Sequence, residues 1–179
     1  NNRHVPVRLI DFDDLANNQY IITNQINIHA RETKIPDIVM FINGIPVVVG
    51  ELKTPIRPSI SWLDGAHEIH DIYENSVPQL FVPNILSFTS EGKEFYFGAI
   101  RSPLQYWAPW RLEGGEGSVA ASLGLSDVGK QVDDLLSPQR LLDILQHFSL
   151  FTSNKRKQRI KMMCRFQQYE GANRIVNRV

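Results

Sequence analysis

The 179 residues include a single cysteine, Cys164, so an internal disulfide is excluded and a reducing compartment, the cytoplasm, is the expected location. Long apolar runs are missing as well. The stretch Ile45 to Val49 is among the longest and falls far short of a membrane span, so no membrane partner is expected. The polar opening Asn1, Asn2, Arg3, His4 has no signal-peptide character. Net charge is zero, 19 basic against 19 acidic residues, which argues against a uniformly basic coat for nucleic acid. An initiating Met is also lacking, and the C-terminal residues read as the middle of a helix, so a piece of a longer chain is expected. What remains, at 42% hydrophobic, suffices for one good core and is not the composition of a disordered chain.

Charge is distributed unevenly. From Asn154 onward, Lys155, Arg156, Lys157, Arg159, Lys161, Arg165, Arg174 and Arg178 face only Glu170. Such a tail suits contact with phosphates or another domain, or simply a solvated helix face.

Gln19 to Ile28, β-branched with partial alternation, reads as a strand, and Leu15 to Asn18 before it as a turn. Ile38 to Ile42 and Val47 to Leu52 form a hairpin around Asn43-Gly44, a strong short-range turn signal. Ser61 to Tyr73 fits a helix capped by Asp64, with Ala66, Ile69 and Tyr73 at helical spacing, which makes the chain α/β. Two further strands, Phe81 to Thr89 and Glu94 to Ile100, meet at Ser90 to Lys93. The aromatic group Tyr106, Trp107 and Trp110 reads as packing at a sheet edge. Leu112 to Lys130, with five glycines and three serines, reads as a flexible loop or insertion. Ser137-Pro138 opens a helix with Leu141, Leu142, Leu145 and Phe148 on one face, and a second helix is expected from Lys155 onward, broken at Gly171.

The chemistry gathers on the hairpin. Asp37 opens its first strand, and Glu51 and Lys53, two apart, share one face of the second while Leu52 points into the core. Two carboxylates can hold Mg²⁺ and leave positions for water and phosphate, with the Leu52 carbonyl as a third ligand. Lys53 would then orient the attacking water or stabilise charge on phosphate. Parity is the condition. Across a regular two-residue loop Asp37 faces Gly50 and Glu51 projects from the other side, so the site requires a three-residue loop or a bulge.

The residues that carry this reading resemble a known family. They are Val7 to Asp13, Asn24-Gln25, Pro36 to Val48, Glu51 to Pro55, Ala66 with Tyr73, Pro78 to Phe81 and Trp110-Arg111. Together they resemble the PD-(D/E)xK nuclease superfamily and, in the longer context, the nuclease domain of the type I restriction enzyme R subunit. The resemblance implies a mixed central β-sheet flanked by helices, a restriction-endonuclease-like core, with Asp37 and Glu51 as metal ligands and Lys53 as the catalytic lysine. It implies a Mg²⁺-dependent endonuclease acting on double-stranded DNA beside methyltransferase and specificity subunits, with recognition left to another subunit. The family's next helix carries a Gln four residues before a Tyr. Here Ile69 stands in that place ahead of Tyr73, and His70 or Glu68 are candidate substitutes, so Tyr73, His70 and Glu68 are the DNA-facing candidates. His67 and His70, three apart, also admit a metal-ligand reading. Arg165 to Ala172 resembles the entrance to the family's ATP-driven translocase, making Gln168 a nucleotide contact of the full-length protein, whose motor uses ATP with Mg²⁺ that this fragment does not bind. Gly124 to Lys130 matches a phosphate loop only superficially, since Gln131 stands where Ser or Thr should hold Mg²⁺.

The expected organisation is an endonuclease core over 1–111, a flexible loop or insertion over 112–136, and a C-terminal helical linker over 137–179 leading into the translocase. Two other functions stay open: a non-catalytic DNA-clamping or docking domain that keeps the nuclease fold, and another nuclease of the superfamily acting in repair or junction resolution.

Overall fold

A computed structural model describes residues 7–30, 32–110, 127–153 and 157–176. Arg111 and the expected loop from Leu112 to Ser126, with Gly124 to Ser126 of the superficial phosphate-loop match, lie outside the described residues, as do Lys155, Arg156 and Arg178. Ten strands are described. β1 (Tyr20–Asn24), β4 (Ile38–Ile42), β5 (Ile45–Leu52), β6 (Leu86–Ser90), β7 (Phe95–Gly98) and β8 (Ala108–Pro109) form one sheet in the order β1-β4-β5-β6-β7-β8. All its pairings are antiparallel except β5 with β6, so the sheet is mixed. Two ribbons stand apart, β2 (Ile28–His29) with β3 (Thr33–Lys34) and β9 (Ser149–Ser153) with β10 (Arg159–Met163). The strand expected from Gln19 to Ile28 is therefore divided, at Gln25, whose φ of 50° breaks the extended path. Leu15–Asn17 is a short 3-10 turn capped by Asp14.

Both faces of the sheet are covered, which is what an α/β layer needs to bury two apolar surfaces. The connection from β5 to β6 carries α1 (Trp62–His67), a π-helical segment Glu68–Tyr73 and a closing turn α2 (Glu74–Ser76). Ser61 is the N-cap of α1. Its hydroxyl accepts from the Leu63 amide at 3.2 Å while Asp64, expected as the cap, occupies the third position and accepts from the Ser61 amide at 2.7 Å. Ala66, Ile69 and Tyr73 pack on Val39 and Val49. On the opposite face, α3 (Asp127–Leu135), α4 (Pro138–His147) and α5 (Phe166–Val176) lay Leu135, Leu141, Leu142, Ile144, Phe166 and Tyr169 against Ile42, Val47, Val48, Leu86 and Phe88.

Trp110 is the joint between sheet and C-terminal helices. It is fully buried, and the rings of Phe97, Phe166 and Tyr169 meet it edge-on at centroid distances of 5.5, 5.1 and 5.8 Å. Its indole N–H donates to Asp134 at 2.6 Å. Truncating a side chain so packed costs about 3–5 kcal/mol. Trp107 is buried on the other face, so the aromatic group packs as expected, with Tyr106 more exposed.

Three C-terminal expectations are corrected. Asp127–Leu135, expected within a flexible loop, is helix α3. The helix expected from Lys155 is instead the β9–β10 hairpin followed by α5, and α5 runs through Gly171 unbroken. Pairing of Arg159 to Met163 with Ser149 to Ser153 decides the hairpin, and its inward position at Lys161 disguised it. The Lys161 side chain is buried and donates to the Asn84 carbonyl at 2.8 Å, burial pushing its ammonium down to about 8. The basic stretch is thus not wholly a solvated face. No helix among the described residues is long and apolar enough to cross a membrane.

Candidate active site

The hairpin of β4 and β5 turns on Asn43 and Gly44, with φ of 51° and 78°, a two-residue turn of the kind that matches strand twist. Ile42 pairs with Ile45 and Phe41 with Pro46, but Met40 pairs with Val48. Val47 is the extra residue of a β-bulge. Its carbonyl accepts from the Ile85 amide at 2.6 Å, and its side chain joins the same core cluster as that of Val48. The bulge changes the parity of everything after it. Val39 then pairs with Val49 and Ile38 with Gly50, and one step further the register sets Asp37 across from Glu51. The odd register that joint use of the two carboxylates demands is present, supplied by the bulge rather than by a three-residue loop.

Asp37 is tied to the second strand directly: the Leu52 amide donates to its Oδ2 at 2.8 Å. Lys53 extends the β5–β6 ladder, its amide donating to the Ser90 carbonyl at 2.8 Å, and its side chain lies on the face of Glu51. The expectation that Leu52 points into the core is corrected, since it is 44% exposed. It is the last residue of β5, level with Ser90, the last of β6, so it lies at the end of both strands.

Four side chains close a ring over this end of β5. The Lys53 ammonium donates to Glu51 Oε1 at 2.9 Å and to Glu68 Oε2, and the Tyr73 hydroxyl donates to Glu51 Oε2 at 3.2 Å and Glu68 Oε1 at 2.9 Å. Burial pushes the Glu51 carboxyl up to about 7 against the pull of Lys53, with the charges of Asp37 and Glu68 adding to the rise. Burial would raise Glu68 too, but the hydrogen bonds from Lys53 and Tyr73 outweigh it and hold that carboxyl below its ordinary range. Burial likewise works to discharge Lys53, and its bonds to Glu68 and Glu51 prevail, raising the ammonium's pKa. Burial and the charge of Glu51 push the Tyr73 phenol up, so it remains a donor.

Glu68 and Tyr73 thus join the ring, whereas His70 turns aside. His67 and His70 each hydrogen-bond Asp71 through Nδ1 at 2.7 Å, and no cluster of three or more His, Cys, Asp or Glu poised around a metal is found among the described residues. Gln168 sits on α5, on the other face of the sheet, where its Oε1 accepts from the Arg165 amide at 2.9 Å. It lines a cleft of about 420 Å³ with Tyr106, Met162 and Cys164. Cys164, half-buried, has its thiol pushed up to about 12 by burial, which suits no thiolate chemistry.

Sequence reading missed two structural participants. Gly65 lets α1 approach β6, since a Cβ there would lie 2.2 Å from Thr89 Oγ1 and 3.5 Å from Glu51 Cγ. The π register of Glu68–Tyr73 was missed as well, and no local signal in the sequence marks it.

As a donor set, Asp37, Glu51 and the Leu52 carbonyl are all oxygen and suit a hard divalent cation such as Mg²⁺. A buried Glu51 flanked by Asp37 and Glu68, with Lys53 to offset them, is an environment that added positive charge would relieve.

Comparison with known proteins points the same way. Residues 1–106 match the family described as type I restriction enzyme R protein N terminus. The type I restriction enzyme HindI endonuclease subunit of Haemophilus influenzae is 32% identical over 173 residues, covering 96% of this chain and 16% of that protein. The putative type I restriction enzyme MjaVIIIP endonuclease subunit of Methanocaldococcus jannaschii is 25% identical over 187 residues, 97% of this chain and 16% of its own length. From the same organism, the putative MjaIXP endonuclease subunit is 31% identical over 105 residues, 56% of this chain and 10% of that protein. The chain therefore spans about a sixth of the length of the first two relatives.

Proposed function

This chain belongs to the family of type I restriction enzyme R protein N termini, and on that footing we propose that it is the DNA-cutting module of such a subunit, hydrolysing phosphodiester bonds of double-stranded DNA. The observation that carries the reading is the bulge-shifted register, which sets Asp37 across from Glu51 with Lys53 on the same face.

Asp37, Glu51 and the Leu52 carbonyl would hold Mg²⁺. The ion, when bound, supplies Lewis-acid polarisation of the scissile phosphate and lowers the pKa of the attacking water. Lys53 stays an ammonium, so its part is to donate hydrogen bonds and offset negative charge at the phosphate rather than to take a proton. Tyr73, bound to both Glu51 and Glu68, restrains the carboxylate of Glu51 from the helix side. Sequence choice would be made by a separate specificity subunit alongside a methyltransferase subunit. Coupling to ATP-driven translocation, with Gln168 as a nucleotide contact, belongs to this proposal for the complete cytoplasmic protein.

The test is substitution in the full chain together with its partner subunits. Asp37→Ala, Glu51→Ala and Lys53→Ala should each abolish DNA cleavage while sparing DNA-stimulated ATP hydrolysis. Retained cleavage in any one removes that residue from the mechanism. Cleavage absent from the unsubstituted protein across a Mg²⁺ titration, with salt-sensitive DNA binding intact, would favour a clamp instead.

A further inference from the structure

In an α-helix the side chain one turn ahead of Tyr73 belongs to residue 69. Here residue 69 is isoleucine, fully buried against the sheet with Val39 and Val49, and unable to serve a polar site. The segment Glu68–Tyr73 is π-helical, with the i to i+5 register that such segments use. That extra residue per turn aligns Glu68, not Ile69, with Tyr73, and the hydroxyl donates to Glu68 Oε1 at 2.9 Å. The other oxygen, Oε2, accepts from Lys53.

We propose that Glu68 is a positioning residue for the cleavage site, holding the Lys53 ammonium beside Glu51, and that the π register of the helix is what delivers it. The inference rests on the nuclease reading above. An ammonium has three N–H donors on a flexible four-carbon stem. Two are committed, to Glu51 Oε1 on the strand and Glu68 Oε2 on the helix, which aims the third. Contact with Glu51 alone fixes one N–H direction and leaves the head free to rotate about it. Contact with both carboxylates fixes the head between two elements that are themselves packed, β5 through Val49 and the helix through Ile69. Tyr73 completes the support by bridging the same two carboxylates from the other side.

The experiment compares Glu68→Ala and Glu68→Gln in the full chain. Misplacing a reacting group by about 1 Å costs on the order of 100-fold in rate. Glu68→Ala should therefore lower kcat for DNA cleavage by roughly 100-fold with KM for DNA within about threefold. Glu68→Gln keeps an oxygen acceptor of the same reach and should recover most of that loss. A second readout needs neither metal nor cleavage: acetylation of Lys53 in metal-free protein, followed by mass spectrometry, should quicken most in Glu68→Ala and clearly less in Glu68→Gln, which loses the charge beside the ammonium but keeps the acceptor that holds it.

Wild-type kcat in Glu68→Ala, or unchanged Lys53 labelling, overturns the inference. So does a Glu68→Gln variant as impaired as Glu68→Ala, because the charge and not the position would then matter. Glu68→Met replaces the alanine variant should the latter not fold, and failure of both to fold would make Glu68 a structural residue and overturn the proposal. Lys53→Ala and Glu51→Ala run in parallel. If those two cut DNA at the wild-type rate it is the nuclease reading that fails, while the labelling of Lys53 still reports on the ring.

Discussion

The Leu52 amide donates to Asp37 Oδ2 at 2.8 Å, so the carboxylate that opens the first strand is tied to the backbone of the strand bearing Glu51. Asparagine at 37 can accept the same hydrogen bond without the charge. Asp37→Asn should therefore melt within about 2 °C of the unsubstituted protein, because the lost term is electrostatic and not a net hydrogen bond worth about 1 kcal/mol. Its DNA cleavage should nonetheless be lost. Thermal unfolding and a plasmid-cleavage assay on the same preparation check both halves.

Glu51 works against the stability of the protein it serves. Burial raises its carboxyl to about 7, above the ordinary glutamate value, so the folded state holds the proton more tightly than the unfolded chain does. Stability from this group is full below the ordinary glutamate range and declines as pH rises through about 7. In metal-free protein at pH 8, Glu51→Gln should be more stable by about 1–2 kcal/mol, the gain shrinking toward zero at pH 4–5, and should not cut DNA. Urea unfolding at the two pH values measures it, and equal gains at both would refute the electrostatic origin.

Glu74 supplies the same effect away from the ring. Its Oε2 accepts from the Arg101 amide at 2.9 Å, its Oε1 is buried without a hydrogen-bond partner, and burial raises the carboxyl to about 7. The sign is that of Glu51: folding stability falls as pH rises from 5 to 8. Glu74→Gln should flatten that decline in Tm while leaving cleavage within a few-fold, as differential scanning calorimetry across the range would show.

Gly65 is the clearance between α1 and β6. Alanine there puts a Cβ 2.2 Å from Thr89 Oγ1, whose hydroxyl donates to the Trp62 carbonyl at 3.0 Å. The helix must lift, at a cost of about 1–3 kcal/mol. Since Glu68 and Tyr73 ride on the same helical run, cleavage should fall along with stability. Chemical denaturation and cleavage kinetics of Gly65→Ala test whether the two losses travel together.

How far the sequence led differs from element to element. Asn43-Gly44 marks its turn because only a few residues accept two successive positive φ values, and the need for two carboxylates on one face specifies odd parity independently of any strand pairing. Where the extra residue would sit was not legible: Val47, Val48 and Val49 are chemically alike, and only pairing with β4 and β6 singles out Val47. The helix at Ser61 was marked by its capping residues, yet the π register within it was not, because Ile69 and Tyr73 satisfy an α-helical apolar pattern equally well. The C-terminal hairpin was misread because Lys161, a charged residue, occupies an inward position that only the Asn84 carbonyl explains. Contacts distant in sequence bear on all three, Val47 with Ile85, Glu68 and Tyr73 with Lys53 and Glu51, and Lys161 with Asn84, and local pattern does not contain them.

The bulge at Val47 also sets how this hairpin responds to changes in length. Dropping Val47 removes the residue without a cross-strand partner and leaves Met40 against Val48, so Asp37 and Glu51 still meet. Dropping any one of Val48, Val49 or Gly50 instead turns Glu51 to the far side of the sheet unless the bulge is lost with it. The segment thus carries one spare residue, and its tolerance to single deletions is concentrated there.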